Sequence, residues 1–187
     1  MNDLLHKRRR VLILDGGSRQ CLPNIKAFHK KGCIVTAFCE SKMDVGYVYT
    51  DRKVLHHIEH SNEAQAWEEV RKEISTGLYD LVIPMQDFYA TILSKHKEEL
   101  SKYANIYVND WAVYRKAIDK LDTMMLCMDN NIPCPRTAVV KSASEIDDSQ
   151  WQYPLVIKPR TGFGAKGFNV AQNREELIEH FALTEQK

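Results

Sequence analysis

Between Arg10 and Val108, short apolar runs alternate with stretches of helical periodicity, and this alternation constrains the fold more than any other feature of the chain. Arg10 to Leu14 reads as a strand, Gly16-Gly17 as its turn, Pro23 to Lys30 as a helix stopped by Gly32, and Cys33 to Cys39 as the next strand. A second unit follows: a helix over Glu63 to Ser75, a strand over Leu81 to Met85, a helix over Phe88 to Tyr103 and a short strand over Ile106 to Val108. Strands joined through helices pair in parallel, and a parallel sheet is covered by helices on both faces. Residues 1–110 are therefore expected to form one parallel α/β domain.

Composition supports a packed core and removes several partner classes. The chain has 187 residues, of which 44% are apolar, enough for one large domain or a domain and part of another. Its 26 basic and 25 acidic side chains nearly cancel, so no global field draws it to nucleic acid or to an anionic membrane. Apolar runs such as Val11 to Leu14 are strand-sized, and Lys7-Arg-Arg-Arg10 leads into too short an apolar stretch for a secretory signal. The basic run reads as charge flanking a hydrophobic strand. The 5 cysteines include no Cys-x-x-Cys pair and fit reduced thiols in a cytoplasm, with Cys33 and Cys39 as small hydrophobes of a strand.

In open parallel sheets, ligands sit beyond the carboxyl ends of the strands. Those ends carry Asp15-Gly16-Gly17-Ser18-Arg19, Glu40-Ser-Lys42 and Met85-Gln86-Asp87. Gly16 and Gly17 could let the backbone approach an anionic ligand, with Ser18, Arg19 and Asp87 as polar substrate contacts. A tight strand-to-helix turn with no ligand would use the same residues, and the third glycine of a dinucleotide fingerprint is missing. His56-His57-Ile58-Glu59-His60 lies among Val54, Leu55 and Ile58, which indicates an extended segment that separates the imidazoles rather than a metal site.

After Asn109-Asp110 the pattern changes, and residues 111–187 are expected to form a second, α+β unit. Trp111 to Asn131 reads as helix, broken near Ile118-Asp119, where Asp119 caps a second helix from Lys120 to Asn130 that Ile132-Pro-Cys-Pro135 stops. A strand over Thr137 to Lys141 and a short helix opened by Ser144 come next. Leu155 to Ile157 then deliver Lys158, and a loop containing Gly162, Gly164 and Gly167 returns Lys166 before another apolar step. This reads as a phosphate clamp on a hairpin, because polyphosphate needs cations and backbone N–H groups that a Cβ would hold away. An ordinary hairpin loop after an edge-strand lysine is the plainer reading. Gly-x-x-x-x-Gly-Lys-Ser/Thr is absent here, and the spacing Gly162, Gly164, Gly167 is not a Gly-x-Gly-x-x-Gly ahead of a helix.

Three elements in order, Asp119-Lys120, Asn131-Ile132-Pro133-Cys134-Pro135 and Tyr153-Pro154-Leu-Val-Ile-Lys158-Pro159 with its glycine-rich loop, resemble the ATP-grasp superfamily. The first half is similar to the Rossmann-like pre-ATP-grasp domain of the same enzymes, so the chain resembles the N-terminal part of an ATP-grasp ligase such as the carbamoyl-phosphate synthase large subunit or biotin carboxylase. The resemblance implies a Rossmann-like parallel sheet followed by an incomplete α+β ATP-grasp subdomain. It implies that Lys120 and Lys158 reach the phosphates of ATP, that Thr161, Gly162, Gly164, Lys166 and Gly167 close over them, and that the Mg2+ ligands belong to a second half absent here. It further implies a small-molecule carboxylate substrate, an acylphosphate intermediate, a cytoplasmic location and room for a homodimer, with no nucleic-acid or membrane partner.

Two rivals remain at this stage. One is a non-catalytic Rossmann-like ligand-binding domain. The other is a dinucleotide or nucleotide-sugar enzyme that uses Gly16-Gly17, with Glu40 about twenty residues beyond the turn as the ribose acid. The first predicts no ATP binding, and the second leaves the loop from Lys158 to Gly167 unexplained. Without the second half, the chain alone is expected to lack ligase or ATPase turnover.

Overall fold

A computed structural model describes residues 8–59, 62–162, 164–165 and 167–185. They divide into two compact units, one running to Tyr114 and the other starting at Arg115.

The first unit is a five-stranded parallel sheet. Its strands are β1 (Arg10–Leu14), β2 (Ile34–Cys39), β3 (Arg52–Leu55), β4 (Leu81–Pro84) and β5 (Asn105–Ile106), in the order β3-β2-β1-β4-β5. Helices α1 (Cys21–Lys30), α2 (Val45–Tyr49), α3 (Glu63–Ile74), α4 (Asp87–Lys95) and α5 (Lys97–Leu100) connect the strands. Period-two alternation sends Val11 and Ile13 of β1 to a cluster with Cys21 and Ile25 of α1. Leu12 and Leu14 go to the opposite cluster, with Val70 and Ile74 of α3 and Ile92 and Leu93 of α4. Both faces being covered is why Val11 to Leu14 of β1 are all apolar instead of alternating in polarity.

Three local readings need correction. The helix expected over Phe88 to Tyr103 breaks at His96, whose ring stacks on Trp67 with centroids 3.6 Å apart. The strand expected over Thr137 to Lys141 joins no ladder among the described residues; the Lys141 amide donates instead to the Glu145 carboxylate at 3.1 Å. Helix α2 was not foreseen, because five residues containing a glycine show no periodicity to read.

The second unit carries α6 (Trp111–Ile118, which begins in the first unit), α7 (Lys120–Asp129) and a 3-10 turn (Ala143–Glu145). The antiparallel hairpin of β6 (Leu155–Ile157) and β7 (Asn169–Ala171) and the helix α8 (Arg174–Glu185) complete it. Its small core gathers Ala143, Ala171 and Leu177, with Leu155, Ile157, Ile146, Tyr153 and Phe181 packed against them. Val156 points the other way, as alternation requires, and is 56% exposed.

Candidate functional site

Asp119 stops α6 and starts α7. Its extended backbone (φ −91°, ψ 115°) leaves the helical path, and its Oδ1 accepts from the amides of Leu121 at 2.9 Å and Asp122 at 3.3 Å. The same carboxylate receives Arg160 from the far end of the hairpin strand. Arg160 Nε and Nη2 donate to Oδ2 at 3.0 and 2.6 Å, and Nε also lies 3.2 Å from Oδ1. The guanidinium and the helix amides together outweigh desolvation and hold the Asp119 carboxyl below the usual carboxylate range.

Lys120, the first residue of α7, is held against the same segment twice. Its amide donates to the Arg160 carbonyl at 2.9 Å. Its ammonium donates to the Gly162 carbonyl at 3.0 Å and lies 3.4 Å from that of Arg160. A helix N-terminus, a lysine and the base of a glycine loop thus meet at one place although 42 residues separate Lys120 from Gly162. Lys158, the residue after β6, is exposed and continues the outward alternation of Val156, while Thr161 is exposed beside Gly162.

The loop itself uses left-handed backbone. Gly164 has φ 66° and Ala165 φ 58°, and the Phe168 amide donates to the Ala165 carbonyl at 3.1 Å to close the turn. At Gly167 backbone and space both count, since its φ is 72° and a Cβ there would stand 3.2 Å from Pro159 Cδ. Gly162 and Gly164 face open space within 4 Å, so room for a ligand is available on that side. Lys166, with Phe163, falls outside the described residues.

In the first unit, Gly16, Gly17, Ser18 and Arg19 follow β1, and Asp87 opens α4 after the neighbouring strand β4, so these residues share the carboxyl edge of the sheet. Gly16 is not poised for a ligand. Its amide donates to the Phe38 carbonyl and its carbonyl accepts the Gly46 amide, both at 2.8 Å, and a Cβ would come within 2.4 Å of Cys39 Sγ. No room remains there for the close phosphate approach that a dinucleotide reading requires. Gly17 is exposed next to Asp44, whose Oδ2 accepts from the amides of Glu40 and Ser41 at 2.9 and 3.1 Å. Ser18 is buried, its hydroxyl bonded to the Gln20 side chain, and Arg19 is exposed. Asp87 is exposed and accepts from Tyr114 Oη at 3.2 Å; burial first, then this carboxylate, pushes the Tyr114 phenol up to about 12.

His56 is buried and stacks on Phe38 with centroids 4.2 Å apart, while His57 is exposed. Cys21 and Cys39 are buried thiols whose pKa burial, reinforced by Asp15 and Asp44, pushes up to about 12, which keeps them protonated. Sequence reading missed Arg160 as part of the site, because an arginine in a loop ordinarily reads as solvated; the Asp119 cap was the available signal.

Residues 119–187, a span that opens on the α7 cap, match the family described as carbamoyl-phosphate synthase L chain, ATP binding domain. A D-aspartate ligase of Enterococcus faecium (strain Aus0004) is 26% identical over 110 residues, 52% of this chain and 26% of the relative. Among solved structures, the L-amino acid ligase from Bacillus licheniformis aligns with TM-score 0.74 at 18% identity over 96% of this chain and 43% of its own. The biotin carboxylase domain of Hydrogenobacter thermophilus 2-oxoglutarate carboxylase, a dimer in complex with MgADP, ADP and bicarbonate, aligns with TM-score 0.75 at 16% identity over 95% and 40%. N5-carboxyaminoimidazole synthetase from Staphylococcus aureus, complexed with ADP, gives 0.72 at 18% over 95% and 45%. The chain spans about a quarter of the curated relative and less than half of each of these structures. In sequence over residues 119–187 and in fold over nearly its whole length, the chain is therefore similar to the N-terminal part of ATP-grasp ligases.

Proposed function

We propose that the chain is the N-terminal part of an ATP-dependent ligase that activates a small-molecule carboxylate, residues 1–110 serving as its pre-ATP-grasp domain and 111–187 as the start of its ATP-grasp domain. The observation that carries this reading is the Lys120 ammonium 3.0 Å from the Gly162 carbonyl, which joins a helix N-terminus to a glycine loop. A triphosphate that took the place of the carbonyls would meet an ammonium, the loop amides and the positive end of α7, with Lys158 and Lys166 adding charge. The open space at Gly162 and Gly164 supports the fit. Thr161 and Gly167 complete the loop that would cover the phosphates.

Among the described residues no group of three or more His, Cys, Asp or Glu is placed to hold a metal ion. Magnesium would come bound to ATP, and no residue of this chain is assigned to it. In that enzyme the carboxylate oxygen attacks the γ-phosphorus, the bond to the β-γ bridging oxygen breaks, and ADP leaves. An amine or thiol then attacks the acyl carbon and expels inorganic phosphate. Gly17, Ser18, Arg19 and Asp87 are the polar candidates on the substrate side, with Gly16 as their structural support. No helix among the described residues is long and apolar enough to cross a membrane, and we place the enzyme in the cytoplasm, acting without nucleic-acid or membrane partners and capable of forming a homodimer.

Calorimetry of Mg-ATP with the 187-residue chain tests the reading. Lys158→Ala should abolish most of the affinity, whereas Lys141→Ala, an exposed lysine ahead of the 3-10 turn, should leave it intact. Equal affinities in the two variants would overturn the assignment.

A further inference from the structure

Lys120 and Lys158 can serve one polyphosphate only if the start of α7 and the end of β6 keep a fixed spacing, and the bonds that fix it run through Arg160. Its carbonyl accepts from the Lys120 amide at 2.9 Å, and its guanidinium reaches Asp119 at 2.6 Å and Asp122 at 3.5 Å. Asp119 is itself locked, since Oδ1 caps α7 while Oδ2 takes the arginine. One carboxylate thus transmits the orientation of the helix to the base of the loop.

We propose that Arg160 is a positioning residue of the nucleotide site: its two-pronged pairing with Asp119 pins the base of the glycine loop to the N-terminus of α7 and holds Lys120 where the phosphates arrive. The inference rests on the ATP reading above. Arginine suits the task better than lysine, because a planar fork fixes direction as well as charge. Its guanidinium is already committed to two carboxylates, so its own role toward phosphate is indirect. Pinning the base also shortens the segment that must be ordered when nucleotide binds, and with it the entropy lost.

Two substitutions break the pair without removing the helix cap. Asp119→Asn keeps a capping oxygen, since asparagine caps as well as aspartate, and Arg160→Gln removes the fork. In Mg-ATP calorimetry on the full chain, each should weaken binding by about fivefold, and the double variant by no more than either alone, the signature of one shared contact. Arg160→Lys should recover part of the loss. Thermal unfolding midpoints should move by no more than a few degrees, because the arginine is half exposed although the Asp119 carboxylate is largely covered.

If Asp119→Asn tightens binding while Arg160→Gln weakens it, Arg160 contacts phosphate directly and the positioning role is overturned. Additive losses, or wild-type affinity in both single variants, overturn it equally. If the wild-type chain and Lys158→Ala bind Mg-ATP alike, the nucleotide reading itself fails and this inference falls with it. Wild-type binding that depends on Lys158 but not on Arg160 defeats the inference alone.

Discussion

The amide of Gly46 donates to the carbonyl of Gly16 at 2.8 Å, and the two backbones are so close that a Cβ on Gly46 would stand 2.8 Å from Gly16 Cα and 2.7 Å from Ala37 Cβ. Gly16, the first of the two glycines after β1, is thus a docking point for α2. Gly46→Ala should cost about 2 kcal/mol through overpacking against backbone that cannot move aside. Urea unfolding measures this directly. An unchanged midpoint would mean that α2 shifts without penalty.

Acid should loosen the edge of the first unit through Asp51. One of its oxygens accepts from the Val35 amide and faces His29 Nε2, both at 2.8 Å. Burial works against its ionised form, but the amide and the imidazole outweigh burial and lower the pKa. A depressed folded-state pKa gives stability that is fully present above the unfolded value, about 3.9, and is lost as pH falls through the lower folded one. The carboxylate is 39% exposed, so solvent screening limits the effect to about 0.5 kcal/mol. Asp51→Asn should therefore flatten the stability curve below about pH 4; an acid limb identical to wild type would rule the contribution out.

The second unit depends on few side chains. Leu177 is 1% exposed in a core built around Ala143 and Ala171, and Leu177→Ala should destabilise the unit by about 3 kcal/mol. Ile178, its 51% exposed neighbour, should tolerate the same change within about 0.5 kcal/mol. Limited proteolysis of residues 115–187 would separate the two, and equal protease resistance would contradict the core assignment.

Thiol chemistry offers a third check on the first unit. With pKa values pushed to about 12, Cys21 and Cys39 should resist iodoacetamide at pH 8, while the half-buried Cys127 and Cys134 should be alkylated under the same conditions. Mass spectrometry of the labelled chain decides this. Rapid modification of Cys21 in the folded protein would show that the β1 turn opens.

The centre of the parallel sheet was legible because β1, β2 and β4 are mostly buried apolar runs and the helices between them are periodic, whereas β3, Arg52-Lys53-Val54-Leu55, is largely exposed and was not read as a strand. Where packing overrode pattern, reading failed. His96 looks like a helix residue until Trp67 captures its ring, and Val139-Val140 look like strand although no ladder among the described residues receives them. The loop of the second unit was legible from its glycines, and Asp119 from its capping position. Arg160 was not, because its partner lies 41 residues away and nothing local marks the pair. Gly16 misled for the same reason: a glycine spared for a neighbouring backbone and one spared for a ligand look alike until Gly46 is in view.

The Lys120 ammonium carries three N–H donors and gives one to the Gly162 carbonyl at 3.0 Å, with the Arg160 carbonyl at 3.4 Å. The two carbonyls hold the side chain in one direction without exhausting its donors. A lysine held in this way has less rotamer freedom left to lose when an anion meets it than one that swings free in solvent. The contact between Lys120 and Gly162 therefore pre-organises a charge at the base of the loop.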